Sequence, residues 1–164
     1  MSKQHTFDDF VKEYIGSVTL FARATCSNRS IIDDVVQETF IRAWKYFPTL
    51  KAESSAKSWL MRICRNVIND VAPKWQRNSI AEVDYRADLN DAYSQSDLMQ
   101  LMDELTLEHR QVLVLCGLLG YDYEIVAEVL DIPIGTVRSR LARARSAMQE
   151  LVSQSESEMQ IGIA

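Results

Sequence analysis

The sequence predicts an all-α protein: two small helical domains joined by a flexible acidic linker, the second a helix-turn-helix domain. Three observations lead there. The 164 residues hold only five Gly and three Pro, too few for the frequent turns of a sandwich or barrel. Apolar residues recur three and four apart in segments bounded by capping signals, the helical period. Between residues 76 and 95 that period is lost in a stretch rich in Asp, Asn, Ser and Ala, which reads as a linker. The expected layout is a first domain over 1–75, the linker over 76–95, a second domain over 96–152 and a disordered tail over 153–164. Domains of this size bury roughly 60% of their unfolded surface, so each is modestly stable.

The first helix opens at Thr6-Phe7-Asp8-Asp9, a Thr-x-x-acid capping box. It buries Phe10, Tyr14, Val18, Phe21 and Ala22 and runs to about Cys26. Ser30-Ile31-Ile32-Asp33 repeats the cap signal. The helix after it places Ile32, Val35, Val36, Thr39, Phe40, Ala43 and Phe47 on one face, with Asp34, Gln37, Glu38, Ile41 and Lys45 opposite, and stops at Pro48. A polar connection over 48–56 leads to a third helix with Ala56, Trp59, Leu60, Ile63, Val67 and Val71 inward. Lys57, Arg62, Arg65, Asn66 and Asn69 lie on its other face, and Pro73 is expected to close it. Trp44, Phe40 and Trp59 read as core residues.

In the second half, Leu98, Leu101, Met102 and Leu105 make a short helix. Thr106 caps another over 107–119 that Gly120 stops. Asp122 caps a helix with Ile125, Val126, Val129 and Leu130 inward, Asp131-Ile132-Pro133 makes a tight turn, and Gly135-Thr136 opens a helix with Val137, Leu141 and Ala144 inward. This is a helix-turn-helix pattern. Its second helix leaves Thr136, Arg138, Ser139, Arg140, Arg143 and Arg145 on the remaining faces, with no acid three or four residues away to pair with the arginines.

Charge is segregated along the chain. The total is -5, yet residues 42–74 hold seven bases against two acids, 134–148 hold four arginines and no acid, and 76–104 hold seven acids against two bases. The acidic total argues against non-specific nucleic-acid binding, but it hides two basic patches that flank an acidic middle. Catalysis finds no support: there is no phosphate-binding glycine loop, and His5 and His109 stand apart from any nucleophile or carboxylate constellation. Cys26, Cys64 and Cys116 are odd in number and far apart, so they read as buried reduced thiols, not metal ligands. No cofactor and no metal are expected. The N-terminus lacks an apolar core and the longest apolar run is far below membrane-spanning length; a cytoplasmic protein without membrane insertion is the expectation.

Asp33-Asp34-Val35-Val36-Gln37-Glu38-Thr39-Phe40-Ile41-Arg42-Ala43-Trp44, Ser58-Trp59-Leu60-Met61-Arg62-Ile63-Cys64-Arg65-Asn66 and Ile132-Pro133-Ile134-Gly135-Thr136-Val137-Arg138-Ser139-Arg140-Leu141-Ala142-Arg143-Ala144-Arg145 resemble three segments of the extracytoplasmic-function (ECF) sigma factors of bacterial RNA polymerase. The last segment is the most specific. The resemblance implies an alternative sigma factor that binds core polymerase, reads the minus-10 and minus-35 promoter elements and opens DNA without ATP. It assigns Asp34, Gln37 and Glu38 to core polymerase; Lys51, Lys57, Arg62, Arg65, Asn66 and Asn69 to the melted minus-10 strand; and Thr136, Arg138, Ser139, Arg140, Arg143 and Arg145 to the minus-35 duplex. It also implies an anti-sigma factor as a further partner and a chain that is monomeric when free. The sequence departs from the family at the loop before the third helix, where Leu50 and Ala56 stand in place of the usual aromatics, and at Thr106, where the family commonly has Pro. Two other classes compete: a sigma-like mimic that titrates an anti-sigma factor, which needs no intact reading helix, and a stand-alone helix-turn-helix regulator, which leaves the first half unexplained.

Overall fold

The computed structural model describes residues 6–51, 56–76 and 93–162, with side chains described except at 72–76 and 93–96. Seven helices carry these residues, and no strand occurs among them. Helix α1 (Phe7–Thr25) starts with the expected capping box: the Thr6 hydroxyl accepts the Asp9 N–H, and the Asp9 carboxylate accepts the Thr6 N–H, each at 3.3 Å. Two of the four N–H groups orphaned at a helix start are thereby satisfied. Helix α2 (Ile32–Tyr46) follows a single 3-10 turn (Arg29–Ile31), and α3 (Ala56–Gln76) follows another over Phe47–Thr49. The three helices close on Phe10, Val18, Phe21, Val35, Ala43, Leu60, Cys64 and Val67, all buried. The hydroxyls of Thr25 and Thr39, also buried, donate back to the carbonyls of Phe21 (2.5 Å) and Val35 (2.7 Å), so neither is left unsatisfied in the core.

In the second half, α4 (Tyr93–Asp103) leads to α5 (Leu107–Leu113), capped by the Thr106 hydroxyl on the His109 N–H, which widens into a π-helical turn over Val114–Leu118. Gly120, at φ +67°, ends that stretch in the left-handed region. Helix α6 (Tyr123–Leu130) ends on Asp131, again left-handed at φ 54°, and α7 (Ile134–Ile161) leaves the turn from Pro133. Asp tolerates this conformation better than most residues. Val126, Val129, Leu130, Val137, Leu141 and Ala144 are buried, so the helix-turn-helix is built on the stripe its spacing predicts.

The structure corrects several expectations. Asn28, not Ser30, supplies the cap before α2: its side chain accepts the Ser30 N–H and opens the 3-10 turn. Pro73 does not close α3, which continues to Gln76; proline removes one N–H but keeps a helical φ, so a further turn follows it. Trp44 is 64% exposed rather than core, one position off the stripe defined by Val35, Thr39 and Ala43. Cys26 and Cys64 are buried free thiols, while Cys116 is only half-buried. Helix α7 runs through the segment expected to be a disordered tail, to Ile161. Once a helix is nucleated each added residue costs little, and Glu, Gln and Met extend it well. Gln76 and residues 93–95 of the expected linker are helical, and the rest of it lies outside the described residues.

The two halves pack on each other. Helix α1 meets α4, α5 and the π turn, and α3 meets α6. Helix α3 buries more than one stripe: Ser58, Met61 and Ile68 are covered as well as Leu60, Cys64 and Val67.

Candidate functional site

Three surfaces carry the residues the sequence singled out. On α2, Asp34 and Gln37 are exposed and Glu38 is half-exposed. Glu38 accepts Arg42 Nε at 2.9 Å, and Arg42 Nη1 reaches Asp70 of α3 at the same distance. The two carboxylates raise the Arg42 pKa, Glu38 foremost. Such surface pairs contribute at most about 1 kcal/mol, but this one fixes the rotamer of a carboxylate on the candidate docking face. Sequence reasoning counted Arg42 only as a base, although its spacing of four from Glu38 was the signal. It placed Ile41 on the outer face without giving it a role and misplaced Trp44 in the core: both are more than 60% exposed, one and two turns beyond Gln37, and Trp44 meets Phe7 edge-on at 4.9 Å between ring centroids. Exposed Ile41 and Trp44 thus add apolar surface beside the carboxylate and amide groups of the candidate docking face.

On α3, Asn66, Asn69 and Arg62 are exposed, as is Lys51 ahead of the helix. The Arg65 guanidinium donates from Nε and Nη2 to the Asn66 amide oxygen, at 3.2 and 2.8 Å. That fork leaves the amide NH2 donors of Asn66 uncommitted among the described residues, available to the acceptor edge of an unpaired base. Lys57 and Arg62 are engaged elsewhere: Lys57 Nζ stands 4.8 Å from the Tyr121 ring centroid, and Arg62 donates twice to the Glu128 carbonyl. Residues 52–55 of the preceding loop lie outside the described residues.

On α7, Arg138, Ser139, Arg143 and Arg145 are exposed, around the buried stripe of Val137, Leu141 and Ala144, and Thr136 is half-buried in the first turn. Ser139 donates to the Thr136 carbonyl at 3.1 Å. Arg138 sits 6.0 Å from the Tyr123 ring centroid, a cation–π contact that orients it without neutralising it. Arg138, Arg143 and Arg145 form no ion pair with a described residue. Arg140 differs: it pairs with Glu108 of α5 at 3.4 Å and is mostly covered. Glu108 lies 32 residues away in sequence, so no local spacing foretold this. Three guanidinium forks with no ion pair among the described residues thus stand exposed on one helix, the groups and element by which a DNA major groove is read.

Nothing else among the described residues suggests a reaction centre. No group of His, Cys, Asp or Glu there is arranged to hold a metal ion. Cys64 is pushed up to about 12 and Cys26 to about 11, chiefly by burial, the opposite of an activated thiol.

Residues 10–77 match the family described as Sigma-70 region 2, and residues 95–148 match Sigma-70, region 4. The chain is 38% identical over 125 residues to the ECF RNA polymerase sigma factor SigC of Mycobacterium tuberculosis, covering 71% of this chain and 67% of that one. This chain belongs to the ECF sigma factors. A second member, the ECF RNA polymerase sigma-E factor of Salmonella typhimurium, is 32% identical over 140 residues, covering 74% of this sigma factor and 73% of its relative. Among solved structures, the sigma factor RpoE of Bartonella quintana, in complex with the anti-sigma factor NepR, matches with a TM-score of 0.76 at 27% identity over 90% of this chain and 96% of that one. CnrH, in complex with the cytosolic domain of CnrY, shares the fold with a TM-score of 0.73 at 24% identity, covering 93% of this chain and 91% of that one. The protein is therefore an alternative sigma factor that directs transcription. No described helix is long and apolar enough to cross a membrane.

Proposed function

We propose that this sigma factor docks on core RNA polymerase through the exposed α2 face of Asp34, Gln37, Glu38, Ile41 and Trp44, reads a minus-35 duplex with α7, and captures the melted minus-10 strand on α3. The observation that carries the reading is the exposed trio Arg138, Arg143 and Arg145 with Ser139 on a helix delivered by the Asp131 turn. Guanidinium forks donating bidentately to guanine discriminate bases by about 1–3 kcal/mol each. Arg140, held by Glu108, supports α7 from behind. On α3, Asn66 supplies hydrogen bonds and Arg62, Lys57 and Arg65 supply charge.

Strand opening without ATP is driven by binding. Each lost stacking step costs about 1.4 kcal/mol and extruding a base costs a few kcal/mol, so the return must come from captured bases together with the grip of polymerase on DNA. An anti-sigma factor is the further partner we infer, by extension from the Bartonella relative and its NepR complex. The test is run-off transcription on fragmented genomic DNA with bacterial core polymerase and sequencing of transcript 5' ends. Starts that share two spaced upstream motifs support the reading. Core binding without transcripts on any fragment refutes promoter recognition, and absence of core binding points to a titrating mimic.

A further inference from the structure

Helices α2 and α3 are joined at the surface by one guanidinium. Asp34, Glu38 and Arg42 stand four residues apart, one above the other along α2. Asp34 and Glu38 are like charges at that spacing and repel. Arg42 offsets this from the next turn, its Nε donating to Glu38 Oε1 at 2.9 Å. Its Nη1 donates at the same distance to Asp70 Oδ2. Asp70 lies on the exposed stripe of α3 that also holds Arg62 and Asn66.

Arg42 and Glu38 are half-exposed and Asp70 is exposed. Ion pairs this open contribute little to folding, because long side chains must be ordered to make them. Their geometry matters more than their strength. The planar fork of an arginine presents its N–H groups at fixed angles, and here it is held from both helices at once. Asp70 anchors the guanidinium from α3, so the rotamer of Glu38 is set before any partner arrives. A carboxylate has about four acceptor sites, and Arg42 Nε occupies one on Glu38, so the group can still accept from a donor on a partner. Ordering a long side chain in advance removes a cost that binding otherwise bears.

We propose that Arg42 is a positioning residue for polymerase docking, which holds the Glu38 carboxylate in its docking rotamer with Asp70 as its anchor. The proposal rests on the reading of α2 as the docking face. It adds to that face two residues that act through Glu38 and not by touching polymerase. Asp70 belongs to α3, so a residue outside the docking helix sets how well that helix docks.

The test measures dissociation constants of the full chain and its variants for bacterial core polymerase, by interferometry on immobilised core, with circular dichroism checking helix content and Tm. Arg42→Met keeps the aliphatic stem and removes the fork. It is expected to bind core about two- to fivefold more weakly, the range an exposed ion pair contributes. Asp70→Asn is expected to weaken binding in the same direction. In a Glu38→Ala background both losses are expected to vanish, which a merely structural role for Arg42 would not produce. A loss of equal size in both backgrounds overturns the proposal, because Arg42 would then act without Glu38. So does core binding unchanged by Arg42→Met or by Asp70→Asn when Glu38→Ala weakens it, an outcome that leaves the docking face standing. If Asp34→Ala, Gln37→Ala and Glu38→Ala all bind core as the unmodified chain does, the docking reading fails and the proposal fails with it.

Discussion

Arginines on one helix differ in what their neighbours offer them. Arg143 is exposed without an ionic partner, whereas Arg140 is covered and paired with Glu108. Replacing Arg143 with Ala is expected to weaken one promoter sequence relative to others by about 1–3 kcal/mol if its contact is bidentate to guanine; competition binding across minus-35 variants measures it. Replacing Arg140 with Ala is expected to lower Tm slightly, the pair being worth up to about 1 kcal/mol, and to leave the sequence preference unchanged. A change of preference for Arg140→Ala would reverse that division. The thiols differ in the same residue-by-residue way. Cys64 and Cys26 are raised to about 12 and about 11 by burial, from 9.0. The unfolded chain sheds these protons first as pH rises, so their contribution to stability is full below pH 9 and is lost as pH climbs through the folded values. Denaturant midpoints are expected to fall from about pH 9 upward, with a shallower fall in Cys64→Ala. Iodoacetamide is expected to reach half-buried Cys116 first, read by mass spectrometry.

Elements were legible in the sequence wherever the signal was local. The Thr6 box, the Thr106 cap, the Gly120 stop and the α6–turn–α7 spacing all appear in the structure because each depends on residues within one turn of one another. Ser30 and Pro73 misled for the same reason in reverse: an adjacent Asn28 outcompeted the serine for the cap, and a proline near a helix end is weaker punctuation than one in its middle. Gly120 provides the test at this scale. No atom lies within 4 Å of where its Cβ would stand, but φ is +67°, so Gly120→Ala adds strain without a clash. The expected cost is about 1–2 kcal/mol, seen as a lower urea midpoint with an unchanged slope. A neutral effect would show that the stop bears no strain. Asp131→Gly, at φ 54°, is expected to be neutral or slightly stabilising for the mirror reason.

At the scale of the whole molecule, periodicity predicted which helices exist and which stripe each buries, but not what covers them. Met61 and Ile68 lie off the predicted stripe of α3 and are buried all the same, in a helix that meets both α2 and α6. The packing of the two halves rests on Arg110, Ser27, Tyr121 and the Glu128 carbonyl, partners 66 and 83 residues apart in two of the contacts, and no spacing rule reaches so far. The candidate surfaces were legible as lists of exposed polar residues; the occupation of Lys57 and Arg62 was not. On the proposed reading, strand capture on α3 has to offset stacking lost at about 1.4 kcal/mol per step. Opening several steps thus exceeds what a few polar contacts on α3 return at about 0.5–1.5 kcal/mol each. A promoter duplex carrying 2-aminopurine in the minus-10 element is therefore expected to stay dark with the sigma factor alone at any attainable concentration, and to brighten when core polymerase is added. Brightening by the free protein would mean that α3 binds an unstacked strand far more strongly than its hydrogen bonds and charges account for.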